Sequence, residues 1–292
     1  MTAQPDQQAP SLNRRKVGDY VVTYLSDGYL DGSFDYLQGI TPGEAEQMLT
    51  DAHRPPLAHI SIASYILQGK GRTVLVDAGT GGFNGWGGRF PVALAAAGVA
   101  PEDVDTILVS HGHVDHVGGL TLHGKPVFPK AEVVVNATEL DFWRNDTIMA
   151  SVGDDAKPFF VAARTAFDAY NDRLKPVASG GVLPGVTLVP LPGHTPGHSG
   201  FRIEGGSTGP DLLIWTDITH MADIQIARPE VTIGFDVDQD QARATRMRVF
   251  DQVASERLAV AGMHLNMPGF MTLERRGHGY AKVDMPWTSA LL

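Results

Sequence analysis

Short apolar runs recur along the chain, most of them bounded by Gly, Pro, Asn or Asp. Tyr20-Val21-Val22-Thr23-Tyr24-Leu25 is β-branched and aromatic and ends in Ser26-Asp27-Gly28, which predicts a strand closed by a turn. Ile60–Leu67 and Thr73–Val76 read as two further strands around the turn Gly69-Lys70-Gly71. Thr106–Val109, Glu132–Val135, Val186–Pro190, Gly200–Ile203, Leu212–Trp215 and Leu258–Ala261 read the same way, with a final strand pair in Phe270–Val283. Helical spacing is seen in Phe90–Gly98, Ala137–Arg144 and residues 155–175. The clearest amphipathic helix is Asp238–Ser255, where Ala242, Val249, Phe250 and Val253 share one face and Asp238 stands at the start. Strands outnumber helices, and helices fall between groups of strands. The pattern predicts a single mixed α and β domain over residues 19–292, preceded by a flexible polar arm over residues 1–18.

Composition narrows this. The 292 residues are 43% hydrophobic and 19% charged, as in an ordinary globular protein. A net charge of −10 and the lack of a basic stripe argue against nucleic acid as a partner. No run reaches the roughly 18 apolar residues of a membrane-spanning helix, and the start has no apolar signal core, so a cytoplasmic location is expected. There is no cysteine, which excludes disulfides, thiolate metal sites and cysteine nucleophiles. There are 11 histidines, so any metal must be held by imidazole and carboxylate.

Four of the candidates stand together in Ser110-His111-Gly112-His113-Val114-Asp115-His116-Val117-Gly118-Gly119, directly after a buried-type strand. Alternate residues of an extended segment point the same way, so His111 and His113 can converge on one metal. Asp115 and His116 follow where the chain turns, and can face a second centre. Burying so many imidazoles without a cation would leave polar nitrogens to satisfy. His194 follows a strand in Pro192-Gly193-His194-Thr195-Pro196-Gly197-His198, Asp217 ends an apolar strand, and His264 follows another. Loops at strand ends would deliver all three. His198 reads as a supporting residue. Asp236-x-Asp238-x-Asp240 lacks the Gly and Glu of a calcium loop and reads as a turn into the long helix. Gly79–Gly88 reads as a flexible loop at the mouth of a site rather than a nucleotide cradle.

His-x-His-x-Asp-His, the later His194, Asp217 and His264, and Leu75-Val76-Asp77-Ala78-Gly79 resemble the metallo-β-lactamase superfamily of dinuclear hydrolases from about Tyr20 to Trp287. The resemblance implies an α+β fold, the four-layer αβ/βα sandwich. It implies two divalent metal ions, zinc first, with cobalt, manganese and iron as alternatives. His111, His113 and His194 would hold one ion; Asp115, His116 and His264 the other; and Asp217 would bridge them. Two such ions would share a water and lower its pKa from about 15.7 toward 7, and Asp115 would pass a proton to the leaving group.

Within the superfamily, Asp217 and the lack of cysteine argue against a true β-lactamase. The 28 residues after His264 read as strand and loop, not as the helical domain of glyoxalase II enzymes, and His113 stands where flavin-linked reductases have Glu. Ala58-His59-Ile60, Phe128-Pro129-Lys130-Ala131, Glu139-x-Asp141-Phe142-Trp143 and Lys157-Pro158-Phe159-Phe160 resemble the methyl-parathion-hydrolase-like group, which is close to the N-acyl-homoserine-lactone lactonases. In that group aromatic residues line the leaving-group pocket, which implies such roles for Phe83, Trp143 and Phe160. His220, where lactonases place Tyr, can hydrogen-bond a carbonyl or alkoxide. It tilts the expectation toward a small lactone or ester, with a phosphotriester as the alternative and a non-catalytic metal-bound sensor as the rival class. The related group also implies a homodimer.

Overall fold

The computed structural model describes residues 8–291. Most of its strands form two seven-stranded sheets, and four short ones form two small pairs. The first runs, in spatial order, Leu12–Val17, Tyr20–Asp31, His59–Gly69, Arg72–Val76, Thr106–Val109, Glu132–Asn136 and Leu174–Val177. The second runs Gly180–Leu183, Val186–Pro190, Ser199–Ile203, Leu212–Ile214, Ala259–Ala261, Phe270–Arg276 and Gly279–Asp284.

The apolar runs are continuous because both faces of the central strands are covered. Side chains alternate between faces. Val74, Val76, Leu108 and Val134 point into the core between the sheets, where they meet Phe201, Leu212, Ile214, Ala259 and Ala261. Leu75, Ile107, Val109, Val133 and Val135 point the other way, onto a second core that includes Phe90, Leu140, Trp143, Phe160 and Phe167 of three helices. On the outer face of the second sheet, Leu213 and Val260 meet Val249, Phe250 and Val253 of the helix Gln239–Glu256. The layers are therefore helix, sheet, sheet, helix, the sandwich expected from the sequence. Among the described residues no helix is long and apolar enough to cross a membrane.

Several expectations need correction. The arm over residues 1–18 is not all arm: Leu12–Val17 pairs antiparallel with the next strand, from Leu12↔Leu25 to Val17↔Tyr20. Its Arg14-Arg15-Lys16 run masks the strand pattern, yet charge is what an exposed sheet edge needs against unwanted pairing. Residues 1–7 of that expectation lie outside the described residues. Ser26-Asp27-Gly28 is not a turn. The strand continues to Asp31 through a register shift between Ser26 and Gly28, and the buried Asp27 accepts hydrogen bonds from Thr80 N (2.9 Å) and Phe90 N (2.6 Å). The helix expected over residues 155–175 is Lys157–Ala169, and the chain then enters the strand Leu174–Val177. The helix Pro42–Asp51, which buries only Ala45 and Leu49, has too narrow an apolar face to stand out by periodicity.

The long helix begins as expected, with the Asp238 side chain accepting from Gln241 N at 2.9 Å. Its buried face also carries a charge. Arg246 is 1% exposed and donates to the carbonyls of Ile218 (2.7 Å), Val231 (2.6 Å) and Pro229 (3.2 Å), with Asp236 Oδ2 at 3.6 Å. One guanidinium thus ties the helix to the segment just after Asp217 and to Asp236. Replacing Arg246 by Met takes this donor from the buried carbonyls of Ile218 and Pro229, leaves the Val231 carbonyl with the Gln225 amide alone, and removes the cation beside the buried Asp236 carboxylate. The expected loss is about 3–5 kcal/mol of unfolding free energy. Urea denaturation measures it, and a loss below about 1 kcal/mol would contradict this role.

Candidate metal centre

The candidate ligands converge because each follows a strand end on the same side of the sandwich. Thr106–Val109 leads to His111 and His113, and Asp115 and His116 sit on the short helix Val114–Val117 that follows. His194 follows Val186–Pro190, Asp217 follows Leu212–Ile214, and His264 follows Ala259–Ala261. Two groups form. The ligand atoms of His111, His113 and His194 lie within 4.8 Å of one another, as do those of Asp115, His116, Asp217 and His264. All seven residues singled out in the sequence are in these two groups.

Asp217 Oδ2 is the centre of the arrangement. It lies 2.9 Å from His264 Nε2, 3.3 Å from the Nε2 atoms of His116, His194 and His220, and 3.6 Å from His111 Nε2. The residue before it, Thr216, is held at φ 54°, a conformation that costs a β-branched residue about 1–3 kcal/mol. Its side chain is tied down: Thr216 Oγ1 lies 2.5 Å from His198 Nε2, and the same nitrogen accepts from Asp217 N at 3.2 Å. His198 Nδ1 in turn meets the Leu191 carbonyl at 2.8 Å. Burial pushes the His198 imidazole down to about 3, so it stays neutral as this bonding requires. His198 is the supporting residue expected from the sequence.

The outer ring nitrogens are also occupied. His116 Nδ1 meets Asp77 Oδ2 at 2.7 Å, His194 Nδ1 meets Asp236 Oδ1 at 2.8 Å, and His264 Nδ1 meets the Ser61 carbonyl at 2.7 Å. His111 Nδ1 lies 3.0 Å from Ser110 Oγ, itself 2.6 Å from Asp77 Oδ2. Such partners fix tautomer and ring direction, so that each Nε2 is aimed inward. His113 is turned the other way: its Nδ1 lies 3.0 Å from His111 Nε2 and 2.9 Å from His194 Nε2.

Inward-facing nitrogens this close need a cation between them. His116 Nε2 and Asp217 Oδ1 are buried without a hydrogen-bond partner among the described residues. Burial, reinforced by neighbouring imidazoles, holds His111 and His113 well below the ordinary histidine range. For His116 burial acts downward, but Asp217, Asp115 and Asp77 outweigh it and raise the imidazole. For His194 the same contest against Asp217 and Asp236 ends at about 9. The carboxylates thus demand positive charge, and without a metal only protons can supply it. The donor set, all imidazole and carboxylate, fits a divalent metal ion.

A cavity of about 560 Å³ opens over this cluster. His113, Asp115, Asp217, His220 and His264 form its polar floor; Trp86, Phe142, Trp143, Phe159, Phe160 and Phe235 contribute apolar walls. No Lys or Arg lines it among the described residues. Trp143 and Phe160 are where the sequence placed them. Phe83 is not: it does not line the cavity, but packs behind Trp86 (ring centroids 5.7 Å) and Phe159 (5.8 Å), which do. The glycine-rich loop turns Trp86 rather than Phe83 toward the cavity. His220 is 3% exposed and stacks on His264 at 4.7 Å. Burial pushes it down to about 4, so it is neutral at pH 7.

Sequence reasoning missed the roles of several residues. Asp77 and Asp236 orient metal-facing imidazoles, and a carboxylate ending the apolar run Val74-Leu75-Val76 was the available signal for the first. The Ser61 carbonyl left no signal at all. Glu139 lies fully buried in the short helix Ala137–Arg144, on the face it shares with Leu140 and Trp143.

Over residues 59–255 the chain matches the family model described as the metallo-beta-lactamase superfamily. It is similar to N-acyl homoserine lactonase AttM of Azorhizobium caulinodans, 31% identical over 140 residues, which is 44% of this chain and 47% of that protein. It is also similar to metallo-beta-lactamase domain-containing protein 1 of Xenopus laevis, 32% identical over 117 residues, 40% of this chain and 39% of that protein. The matched stretch spans less than half the length of these relatives. Among solved structures, hydrolase AbOPH of the beta lactamase superfamily superposes with a TM-score of 0.90 at 27% identity, covering 97% of this chain and 100% of that one. AidC, a dizinc quorum-quenching lactonase solved with its product N-hexanoyl-L-homoserine, superposes with a TM-score of 0.87 at 24% identity, covering 96% and 99%, a likeness of fold. With a family match over more than half of its length, on the fold and residues described above, the chain belongs to the metallo-beta-lactamase superfamily.

Proposed function

We propose that this chain is a two-metal hydrolase that opens lactones or cleaves related carboxylic esters of neutral, partly apolar substrates. The observation that carries the reading is the single buried oxygen, Asp217 Oδ2, ringed by five imidazole nitrogens at 2.9–3.6 Å. His111, His113 and His194 would hold one ion and Asp115, His116 and His264 the other, with Asp217 shared. When bound, two divalent ions supply an activated water and a Lewis acid for the substrate oxygen. Zinc suits these donors, and cobalt, manganese and iron are compatible with them.

The chain's own residues do the rest. Trp143, Phe160, Phe159 and Trp86 hold the apolar part of the substrate and exclude water from the scissile carbonyl. The lack of Lys or Arg in the lining disfavours an anionic substrate, for which the walls offer no counter-charge. Neutral His220 suits a hydrogen bond to the carbonyl or the departing alkoxide rather than acid work. Asp115 has the most exposed side chain of the four-residue group, 14% against 2% for Asp217. Its carboxylate, held ionised by His116 and His264 against the effect of burial, would take a proton from the attacking water and pass it to the leaving oxygen.

Two measurements check this. Purified protein should carry two metal ions per chain, lose hydrolysis on chelation and regain it with added zinc. On a panel of γ-lactones of varied acyl length, aryl esters, a phosphotriester and a β-lactam, lactones or esters should turn over fastest. A metal-replete, folded chain inactive on the whole panel would overturn the hydrolase reading, and one faster on the phosphotriester would overturn the substrate class. Asp115→Asn should lower kcat by about 100-fold or more, a typical general-acid contribution. Metal content is read on the same sample, and a variant with both ions and full turnover would exclude the proton role.

A further inference from the structure

We infer that Glu139 is a positioning residue that locks the metal cluster His111/His113/His194 to the wall of the substrate cavity. The inference rests on the two-metal reading above. Glu139 Oε1 accepts from Gly112 N (2.8 Å) and Trp143 Nε1 (2.5 Å). Its Oε2 accepts from Thr195 Oγ1 (2.7 Å) and Gly197 N (3.0 Å). Gly112 lies between His111 and His113, and Thr195 follows His194 directly. One carboxylate therefore clasps the two separate loops that supply all three histidines of this cluster.

The fit is close on both sides. A Cβ on Gly112 would fall 2.4 Å from Trp143 Nε1, and one on Gly197 would fall 2.2 Å from Glu139 N. Both loops press against this turn of helix, which leaves no room for side chains. The fourth donor, the Trp143 indole, belongs to the cavity wall, and its ring sits edge-on to His113 at 5.4 Å between centroids. Three of the four partners, Gly112 N, Gly197 N and Trp143 Nε1, can only donate, so both Glu139 oxygens are needed as acceptors. Glu139 touches neither the cavity nor an inward-facing nitrogen, so it acts through what it holds.

The other cluster does not depend on it. Asp115, His116, Asp217 and His264 are oriented by Asp77, the Ser61 carbonyl and His198. This gives a test that separates positioning from plain stability. Glu139→Gln keeps the volume but turns an amide N–H toward two donors, and Thr195→Val removes one donor while Glu139 stays. Both are loaded with cobalt(II) and titrated with a competing chelator. Paramagnetically shifted imidazole protons assign each dissociation step to its cluster. For Glu139→Gln the ion at His111/His113/His194 should bind about 10–100-fold more weakly, the usual effect of losing such a partner, while the other ion changes by less than about threefold. Thr195→Val should move the same step in the same direction by a smaller factor. With metal saturating, Glu139→Gln should raise KM by a larger factor than it lowers kcat, since the Trp143 wall loosens. Wild-type affinity at both clusters in both variants would overturn the inference. Equal weakening of both clusters would overturn it too, because that marks general destabilisation. A wild-type chain that binds no cobalt at all would instead defeat the two-metal reading.

Discussion

A carboxylate buried among imidazoles is unstable unless each group's charge and direction are fixed from outside. Asp217 is 2% exposed and faces five histidine nitrogens. A bare carboxylate there would incur a large desolvation penalty, and converging lone pairs would repel. Much of the surrounding structure answers that one constraint. Asp77, Asp236, Ser110 and the Ser61 carbonyl occupy the outer ring nitrogens, and His198 with strained Thr216 holds the backbone at Asp217. A divalent cation completes the arrangement by supplying the positive charge that the carboxylates demand.

The sandwich makes this convergence possible. Strands buried on both faces are rigid, and their ends lie close together where the sheets meet. Ligands arrive from both sheets: His111, His113, Asp115 and His116 from the first, His194, Asp217 and His264 from the second. Buried hydrogen bonds link the two sheets beside the site. The Ser61 carbonyl on the first sheet holds His264 on the second, and Ser199 N donates to the Ser110 carbonyl at 3.0 Å. Arg246 does a similar job on the outer layer, pinning the long helix to the segments that carry Asp217 and Asp236.

Much of this was legible in the residues, for identifiable reasons. Thr106–Val109 and Ala137–Arg144 are found at their expected bounds because the signals there are local: a four-residue apolar run and an amphipathic turn. The seven candidate ligands were legible because four stand together in His-x-His-x-Asp-His and the order of His194, Asp217 and His264 after it resembles the superfamily; each of those three taken alone is ordinary. The groups behind them were not. Asp236 looked like a turn residue, Glu139 stood only as part of a family-like motif with no role given to it, and Ser61 contributes a backbone atom that any residue could supply. Leu12–Val17 was hidden by its own edge-strand charges, and the register shift at Asp27 was misread because a bulge and a turn use the same residue types. Phe83 was assigned to the wall in place of Trp86 and Phe159, since which aromatic faces inward depends on loop path rather than composition.

Anomalous diffraction from crystals of the metal-loaded chain tests the central claim most directly. The expected result is two metal peaks per chain flanking the Asp217 carboxylate, one beside His111, His113 and His194 and the other beside Asp115, His116 and His264. A single peak, or none with the seven side chains still in place, would contradict it.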